Sequence, residues 1–152
     1  MSKSLKRVVR ALRDAVLDAE PRELGDCRTA ADAAASVGCD LDQIAKSIIF
    51  GTGDGCALFL TAGGNQVDGL KASALAGTPL TRADANAVRR ITGFAIGGVA
   101  PIGHLMPSPV WMDARLMDFD VVWAAAGTPR HVFAIDPQAL RAIAGATVAD
   151  FT

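Results

Sequence analysis

The sequence contains no tyrosine and few other aromatic residues or cysteines: six Phe, two Trp and three Cys in 152 residues. Cys27, Cys39 and Cys56 are an odd number without Cys-x-x-Cys spacing, which argues against a disulfide framework and against a zinc site. Unpaired thiols are typical of a reducing compartment, so we expect a cytoplasmic protein without a bound metal. No apolar run approaches the ~20 residues of a membrane span. Charged residues interrupt the N-terminus, so a signal peptide is not expected either.

The chain also lacks a charge excess, with 15 Lys and Arg against 16 Asp and Glu. No global positive field favours nucleic acid, so any such contact has to come from a local patch. One candidate patch lies on a predicted amphipathic helix over residues 4–19. Its apolar side carries Leu5, Val8, Val9, Leu12, Val16 and Ala19, and its basic residues are Lys3, Lys6, Arg7, Arg10 and Arg13. The basic stripe is either an ordinary solvated face, which is the commoner case, or a surface that holds a phosphate backbone.

Local patterns predict the remaining elements. Helical periodicity closed by a glycine predicts helices over residues 29–37, 67–76 and 82–91, and Asp136-Pro137 begins a last helix towards residue 144. Strands are predicted over residues 44–50, 56–62, 121–126 and 132–135, the first two joined as a hairpin by a five-residue glycine-rich turn. This mixed order, without repeat or linker, indicates one compact α+β domain over residues 1–152, or a mixed-sheet α/β domain.

A glycine-rich segment over residues 92–104 is a candidate ligand-binding loop. It reads Thr-Gly-Phe-Ala-Ile-Gly-Gly-Val-Ala-Pro-Ile-Gly-His, with four glycines and Pro101 in an otherwise apolar run. Such a composition suits neither a regular helix nor a central strand. Without a Cβ, Gly97, Gly98 and Gly103 let the backbone approach another molecule and present main-chain N–H groups to it. The alternative is a tight crossing of the sheet without a ligand.

Lys46 is unusual because it lies on an apolar face of a predicted strand. Alternation places it on the same face as Ile44, Ile48 and Phe50, where it is the only charge. Either its stem packs on the isoleucines while the ammonium reaches the sheet edge, or it points into a pocket and meets an anionic group. Ser47 points to the other face of a regular strand, so it would reach the same pocket only through a bulge.

Three segments taken together resemble one family. Residues 29–34 (Thr-Ala-Ala-Asp-Ala-Ala), 44–50 (Ile-Ala-Lys-Ser-Ile-Ile-Phe) and 93–104 are similar in order and spacing to the YbaK/EbsC family of free-standing aminoacyl-tRNA deacylases. These proteins are similar to the editing domain inserted in bacterial prolyl-tRNA synthetases, and the resemblance extends over residues 25–150. It implies a compact α+β fold around a mixed, partly barrel-like sheet.

The resemblance also implies an activity. The family hydrolyses the ester that joins a wrong, small amino acid to the 3′ end of a tRNA, here tRNA-Pro or a related tRNA, without a metal or other cofactor. Aminoacyl-tRNA is then the partner, with an aminoacyl-tRNA synthetase as a second one. Editing is needed because binding discriminates small side chains by only about 1–3 kcal/mol per methylene.

The roles of single residues follow from the same resemblance. Lys46 matches the residue most tied to activity, and the loop from Gly97 through Gly98 to Pro101 matches the lining of the aminoacyl pocket. Lys46 would hold the phosphate or ribose end of the substrate, and N–H groups of the loop, Gly103 included, would bind the ester oxygen as charge develops. An activated ester needs mainly a positioned water or ribose hydroxyl, so no protein nucleophile is required.

Alternatives remain at the level of residues and of function. Ser47 and His131 are further candidates for substrate binding. His104 and His131 could each act as a base or ligand, although lone histidines are more often structural. The protein could also be a non-catalytic module of the same fold that binds tRNA ends or a synthetase. A third possibility is a hydrolase of free small aminoacyl or thioester compounds.

Overall fold

A computed structural model describes residues 2–152, and within them the chain forms five α-helices and eight β-strands. The helices are α1 (Lys3–Asp14), α2 (Ala30–Val37), α3 (Gly69–Ala76), α4 (Ala85–Thr92) and α5 (Pro137–Ala144). The strands are β1 (Arg22–Glu23), β2 (Ile44–Gly51), β3 (Cys56–Ala62), β4 (Thr81–Arg82), β5 (Val110–Asp113), β6 (Val122–Ala125), β7 (His131–Ile135) and β8 (Thr147–Ala149). No helix of the described residues is long and apolar enough to cross a membrane.

Helix ends follow local chemistry where a cap is present. Thr29 and Asp32 form a reciprocal capping box at the start of α2, and Gly38 ends that helix in the left-handed conformation, as the sequence predicts. The predicted start of α4 at residue 82 is wrong. Arg82 pairs with Phe50 in β4, and the Asp84 side chain accepts the N–H of Ala87, so the helix begins at Ala85.

The predicted extent of the first helix is also wrong. α1 ends at Asp14, because Val16 adopts a left-handed conformation with φ of 57° that a helix cannot continue. Val16 is consequently 90% exposed and does not belong to the apolar side of the helix. Leu5, Val8 and Leu12 do form its buried side.

The strands form a mixed sheet in the order β1-β7-β6-β2-β3-β5-β8, with β4 paired to β2 beside this path. The β2–β3 hairpin is antiparallel with continuous register from Ala45↔Ala62 to Gly51↔Cys56, whereas β6 lies parallel to β2 and β5 parallel to β3. Residues of β3, β5, β6 and β7 share one large core with α1 and α4. The sheet therefore curls around this core, and the expected α+β architecture is confirmed.

One edge of β2 is shared between two different strands. Ile44 and Ala45 pair with β6, and Phe50 and Gly51 pair with β4. Between these stretches, residues 46–49 pair with no strand on that edge among the described residues. Since the other edge of β2 is paired with β3 along its length, the sheet is split at residues 46–49 on this side only.

Replacing Val16 by Asn tests the end of α1. A left-handed conformation costs an L-residue roughly 1–2 kcal/mol, and Asn tolerates it far better than a β-branched residue. Because the Val16 side chain is exposed, Val16→Asn removes strain without removing packing. We expect the free energy of unfolding in urea to rise by about 1 kcal/mol. The neighbouring Ala15→Asn change, at φ of −84°, is the control and should give no gain. Equal stability of wild type and Val16→Asn would contradict the left-handed turn.

Candidate active site

A cavity of about 260 Å³ opens where β2 and β6 part, and we name it the β2–β6 cavity. Residues 44–47 of β2 and 123–125 of β6 line it from the sheet. Its other walls are residues 27–30 at the start of α2, Gly97 and Val99, and Thr128, Pro129 and His131 of the turn after β6. The cavity therefore lies at the split in the sheet.

Lys46 and Ser47 both line this cavity although they point to opposite faces of β2. The outer face of the strand carries Ile44 in a cluster with α2, and Ile48 packed against a second cluster around Phe59, so Lys46 lies between two apolar patches. The register of β2 is unbroken, so no bulge turns Ser47 towards the other face, and the residue nevertheless borders the cavity. The Ser47 hydroxyl is buried there without a hydrogen-bond partner among the described residues.

A short network fixes the ammonium group of Lys46. Lys46 Nζ donates to the main-chain oxygen of Asn65 at 2.6 Å. Asn65 Nδ2 in turn donates to Asp113 Oδ2 at 2.9 Å, and the same oxygen accepts the N–H of Ala62 at 3.1 Å. Because a lysine has three N–H donors, two remain for a ligand. Lys46 is thus half-buried and oriented, which favours the second of its two predicted roles.

The charge of Lys46 is not neutralised by an ion pair among the described residues. The nearest carboxylate with a shifted pKa is Asp42. The hydrogen bond from Arg115 holds the pKa of Asp42 below its usual value, and attraction by Lys46 is a smaller cause. Asp42 itself is paired with Arg115 at 3.1 Å, so it does not compete for Lys46.

The lining of the β2–β6 cavity is one-sided in charge. Arg28 joins Lys46 there, and none of the described lining residues is Asp or Glu. Such a site attracts anionic groups and offers no carboxylate as a general base. No group of three or more His, Cys, Asp or Glu within residues 2–152 could hold a metal ion.

We name residues 93–103 the glycine loop. Its predicted site residues divide into those that line the cavity and those that do not. Gly97 lines the cavity with φ of 92°. Gly98 packs on the neighbouring turn, where a Cβ would lie 3.0 Å from the Cα of Thr128, and its N–H is donated to Ala95 within the loop. Pro101 is buried and Gly103 lies against α1, and neither is among the described lining residues.

The two histidines also differ. His131 lines the cavity, and its Nδ1 lies 2.6 Å from the hydroxyl of Thr128. His104 lies outside the lining, with Nε2 2.6 Å from the oxygen of Ala100 and its ring edge-on to Phe94. Burial lowers the pKa of His104, although the hydrogen bond to Ala100 opposes this shift. The surroundings of His104 are those of a structural residue that fixes the glycine loop.

Arg7 of α1 holds the glycine loop in place. Its Nη2 donates to the Gly93 oxygen at 2.7 Å and its Nε to the Gly103 oxygen at 3.2 Å, while the guanidinium lies 4.7 Å above the ring of Phe94. A Cβ at Gly127 would lie 2.8 Å from the main-chain oxygen of Ser4, so α1 also packs closely on the turn next to the loop. Arg7 is therefore not part of a solvated stripe.

Sequence reasoning did not single out Arg28, Trp123 or Thr128 as part of the site. Arg28 precedes the Thr29 cap in an exposed segment, and no pattern distinguishes it from other surface arginines. Trp123 packs on the α2 cluster and also forms a wall of the cavity.

Comparison with known proteins is consistent with this geometry. The sequence profile of the aminoacyl-tRNA editing domain matches residues 25–143. A crystal structure of a candidate trans-editing enzyme for prolyl-tRNA synthetase is 44% identical, with a TM-score of 0.94 over 100% of this chain and 98% of that one. The structure of the hypothetical protein APE2540 is 26% identical, with a TM-score of 0.85 over 95% and 98% of the two chains.

The uncharacterized protein YwhH of Bacillus subtilis (strain 168) is 34% identical over 113 residues, which are 74% of this chain and 72% of the relative. The chain belongs to the aminoacyl-tRNA editing domain family. The resemblance seen in residues 29–34, 44–50 and 93–104 is thereby confirmed.

The structural role of His104 predicts a pH dependence of stability. Its pKa in the folded protein lies below the ordinary value of 6.5, so under mildly acidic conditions the unfolded chain binds more protons at this residue. The free energy of unfolding of the wild type should therefore fall as the pH drops below about 6.5. A His104→Gln variant keeps an N–H donor for Ala100 and should lack this part of the decline. Urea unfolding between neutral and acidic pH measures the difference, and parallel curves for the two proteins would contradict the assignment.

Proposed function

We propose that this protein is a trans-editing hydrolase that removes a small, wrongly attached amino acid from the 3′ end of a tRNA, with tRNA-Pro or a related tRNA as substrate. One observation carries the proposal. In a member of the aminoacyl-tRNA editing domain family, a small cavity beside the glycine loop holds two cationic side chains and no described carboxylate. The free cysteines support a cytoplasmic location of the protein.

The size of the cavity supports a small side chain. Its volume of about 260 Å³ is below the roughly 300–1,000 Å³ of pockets that enclose drug-sized ligands. An aminoacyl group with its ester fits such a volume, whereas a whole nucleotide would remain at the rim. Lys46 and Arg28 would then bind the phosphate or ribose of the terminal adenosine, because an ammonium acts as a compact point charge and a guanidinium matches the geometry of a phosphate.

The chemistry is the hydrolysis of an activated ester. Water adds to the ester carbon, the bond from that carbon to the ribose oxygen breaks, and the ribose oxygen takes up a proton. The products are the free amino acid and a tRNA with a free terminal ribose. As negative charge develops on the ester oxygen, main-chain N–H groups of the glycine loop at Gly97 would stabilise it.

No side chain of the cavity has to act as a nucleophile or carboxylate base in this scheme. A water held by the terminal ribose hydroxyl next to the ester supplies the attacking oxygen once the ester is positioned. Ser47 and His131 are then substrate-binding groups. Both residues border the cavity, which supports that role.

The test is deacylation of tRNAs charged with Ala, Cys, Ser, Thr and Pro by the wild type and by Lys46→Ala. Hydrogen bonds to charged groups contribute roughly 1.5–3 kcal/mol, so we expect kcat/KM for the preferred ester to fall by about 10- to 100-fold. Lys71→Ala is the matched control. This lysine pairs with Asp150 at 3.1 Å and does not line the cavity, so activity should be unchanged.

Three outcomes contradict parts of the proposal. Full activity of a folded Lys46→Ala protein would remove Lys46 from the site. Stability of every ester in the presence of the wild type would favour a non-catalytic module that binds tRNA ends or a synthetase. Cleavage of free aminoacyl esters or thioesters without preference for tRNA would favour the third alternative.

A further inference from the structure

The outward face of α1 carries three cations that the cavity does not use. Lys3, Lys6 and Arg10 are exposed, and none of them forms an ion pair with a described residue. We name them the α1 basic face. Arg7 lies between them on the helix, but it is half-buried because it holds the glycine loop.

Two of these cations are placed against the electrostatics of the helix. Lys3 is the first residue of α1, Lys6 follows three residues later, and the first turn contains no acidic residue. The N-terminal end of a helix carries partial positive charge, so cations there are unfavourable for the helix itself. Residues whose placement is unfavourable for their own helix, with no gain in stability elsewhere, are typically retained because they have a function.

The position of the helix relates its basic face to the candidate active site. Ser2, Leu5 and Glu23 line an open cavity of about 540 Å³ together with residues 128–131. Three residues of this turn, Thr128, Pro129 and His131, also line the β2–β6 cavity. The first turn of α1 is therefore packed behind the wall of the cavity, and the α1 basic face begins at its rim.

A fourth exposed cation, Arg13, follows on the same side of α1, nearer the C-terminal end of the helix, and lines one cavity with Lys6, Arg10 and Asp14. Arg13 also lines a cavity of about 450 Å³ with Asp18, Glu20 and Glu23. These carboxylates repel an anionic polymer from the C-terminal end of α1 and reduce the field of Arg13. The positive potential of the helix is thus concentrated at Lys3, Lys6 and Arg10.

The α1 basic face has the dimensions of a short contact with a nucleic-acid backbone. Lys3 and Arg10 are seven positions apart, or about 11 Å along a helix. Phosphates of one strand are spaced roughly 3.4 Å along a duplex axis, so the three cations span about three phosphates. Such contacts fix position and orientation without reading sequence.

We infer that the α1 basic face binds the phosphodiester backbone of the tRNA acceptor stem, while the 3′ end of the same molecule enters the β2–β6 cavity. This inference rests on the proposed function for the identity of the RNA. Arg7 would connect the two sites, since it lies among the phosphate-binding cations and holds the loop at the cavity.

Binding of uncharged RNA tests the inference without any hydrolysis. The probe is a fluorescently labelled acceptor-stem minihelix that ends in CCA, titrated by anisotropy at a series of salt concentrations. The test protein carries Lys3→Gln, Lys6→Gln and Arg10→Gln together. Each phosphate contact contributes roughly 0.7–0.9 to the slope of log K against log salt, so the slope should become shallower by about 2–3.

A matched pair of single variants adds a control on the same helix. Arg10→Gln should reduce the slope by about 0.7–0.9. Arg13→Gln, which removes the same charge beside the three carboxylates, should leave the slope unchanged. The triple variant should be at least as stable to urea as the wild type, because it removes cations from the positive end of α1.

The outcomes separate this inference from the proposed function. Unchanged affinity and slope in the stably folded triple variant would overturn the α1 basic face, even if Lys46-dependent hydrolysis is observed. A reduced slope with no hydrolysis of any ester would support the surface and reject the editing activity. Equal losses for Arg10→Gln and Arg13→Gln would also overturn it, since a nonspecific field would then explain binding.

A kinetic comparison completes the test. The triple variant should raise KM for the charged tRNA and leave hydrolysis of the corresponding aminoacyl-adenosine unchanged, because the short ester does not reach α1. Equal loss on both substrates would contradict a contact with the stem. Preferential binding of anionic vesicles over the minihelix would assign the surface to a membrane and overturn the inference.

Discussion

The division of one edge of β2 between two strands determines the rest of the site. Pairing with β6 at Ile44 and Ala45 and with β4 at Phe50 and Gly51 leaves a gap between them. The gap opens a cavity beside β2, which a regular sheet does not allow. Lys46 and Ser47, which point to opposite faces of the strand, both border this cavity.

The glycine loop closes this gap, and α1 holds the loop. Arg7 binds the carbonyl oxygens near both ends of the loop, and its guanidinium covers Phe94. The middle of the loop is fixed by two further contacts. The His104 ring hydrogen-bonds to the oxygen of Ala100, and Gly98 packs closely on the turn at Thr128. Because these contacts use charged or close-packed groups, the loop is ordered before a substrate arrives, which lowers the entropic cost of binding.

Local patterns predicted much of the fold. The capping box of α2, the β2–β3 hairpin and the Asp136-Pro137 start of α5 depend on residues a few positions apart, so the sequence was sufficient there. The short strands β1, β4 and β8 were missed, because two or three residues carry no period and pairing with a distant strand creates them. The end of α1 at Val16 was missed for a related reason. A valine in a left-handed turn violates its own preference.

By itself, the sequence determined the α+β class and the family and predicted a site at Lys46 and Gly97, since composition, alternation and motif order are properties of the chain alone. Only the tertiary structure decided which residues share the cavity. It showed that Arg28 and Trp123 line the cavity. It also showed that Gly103 and His104 lie outside the cavity, where Gly103 contacts α1, and that Arg7 binds the glycine loop. These assignments depend on contacts such as Arg7 with Gly103, 96 positions apart, and no local pattern encodes such a distance.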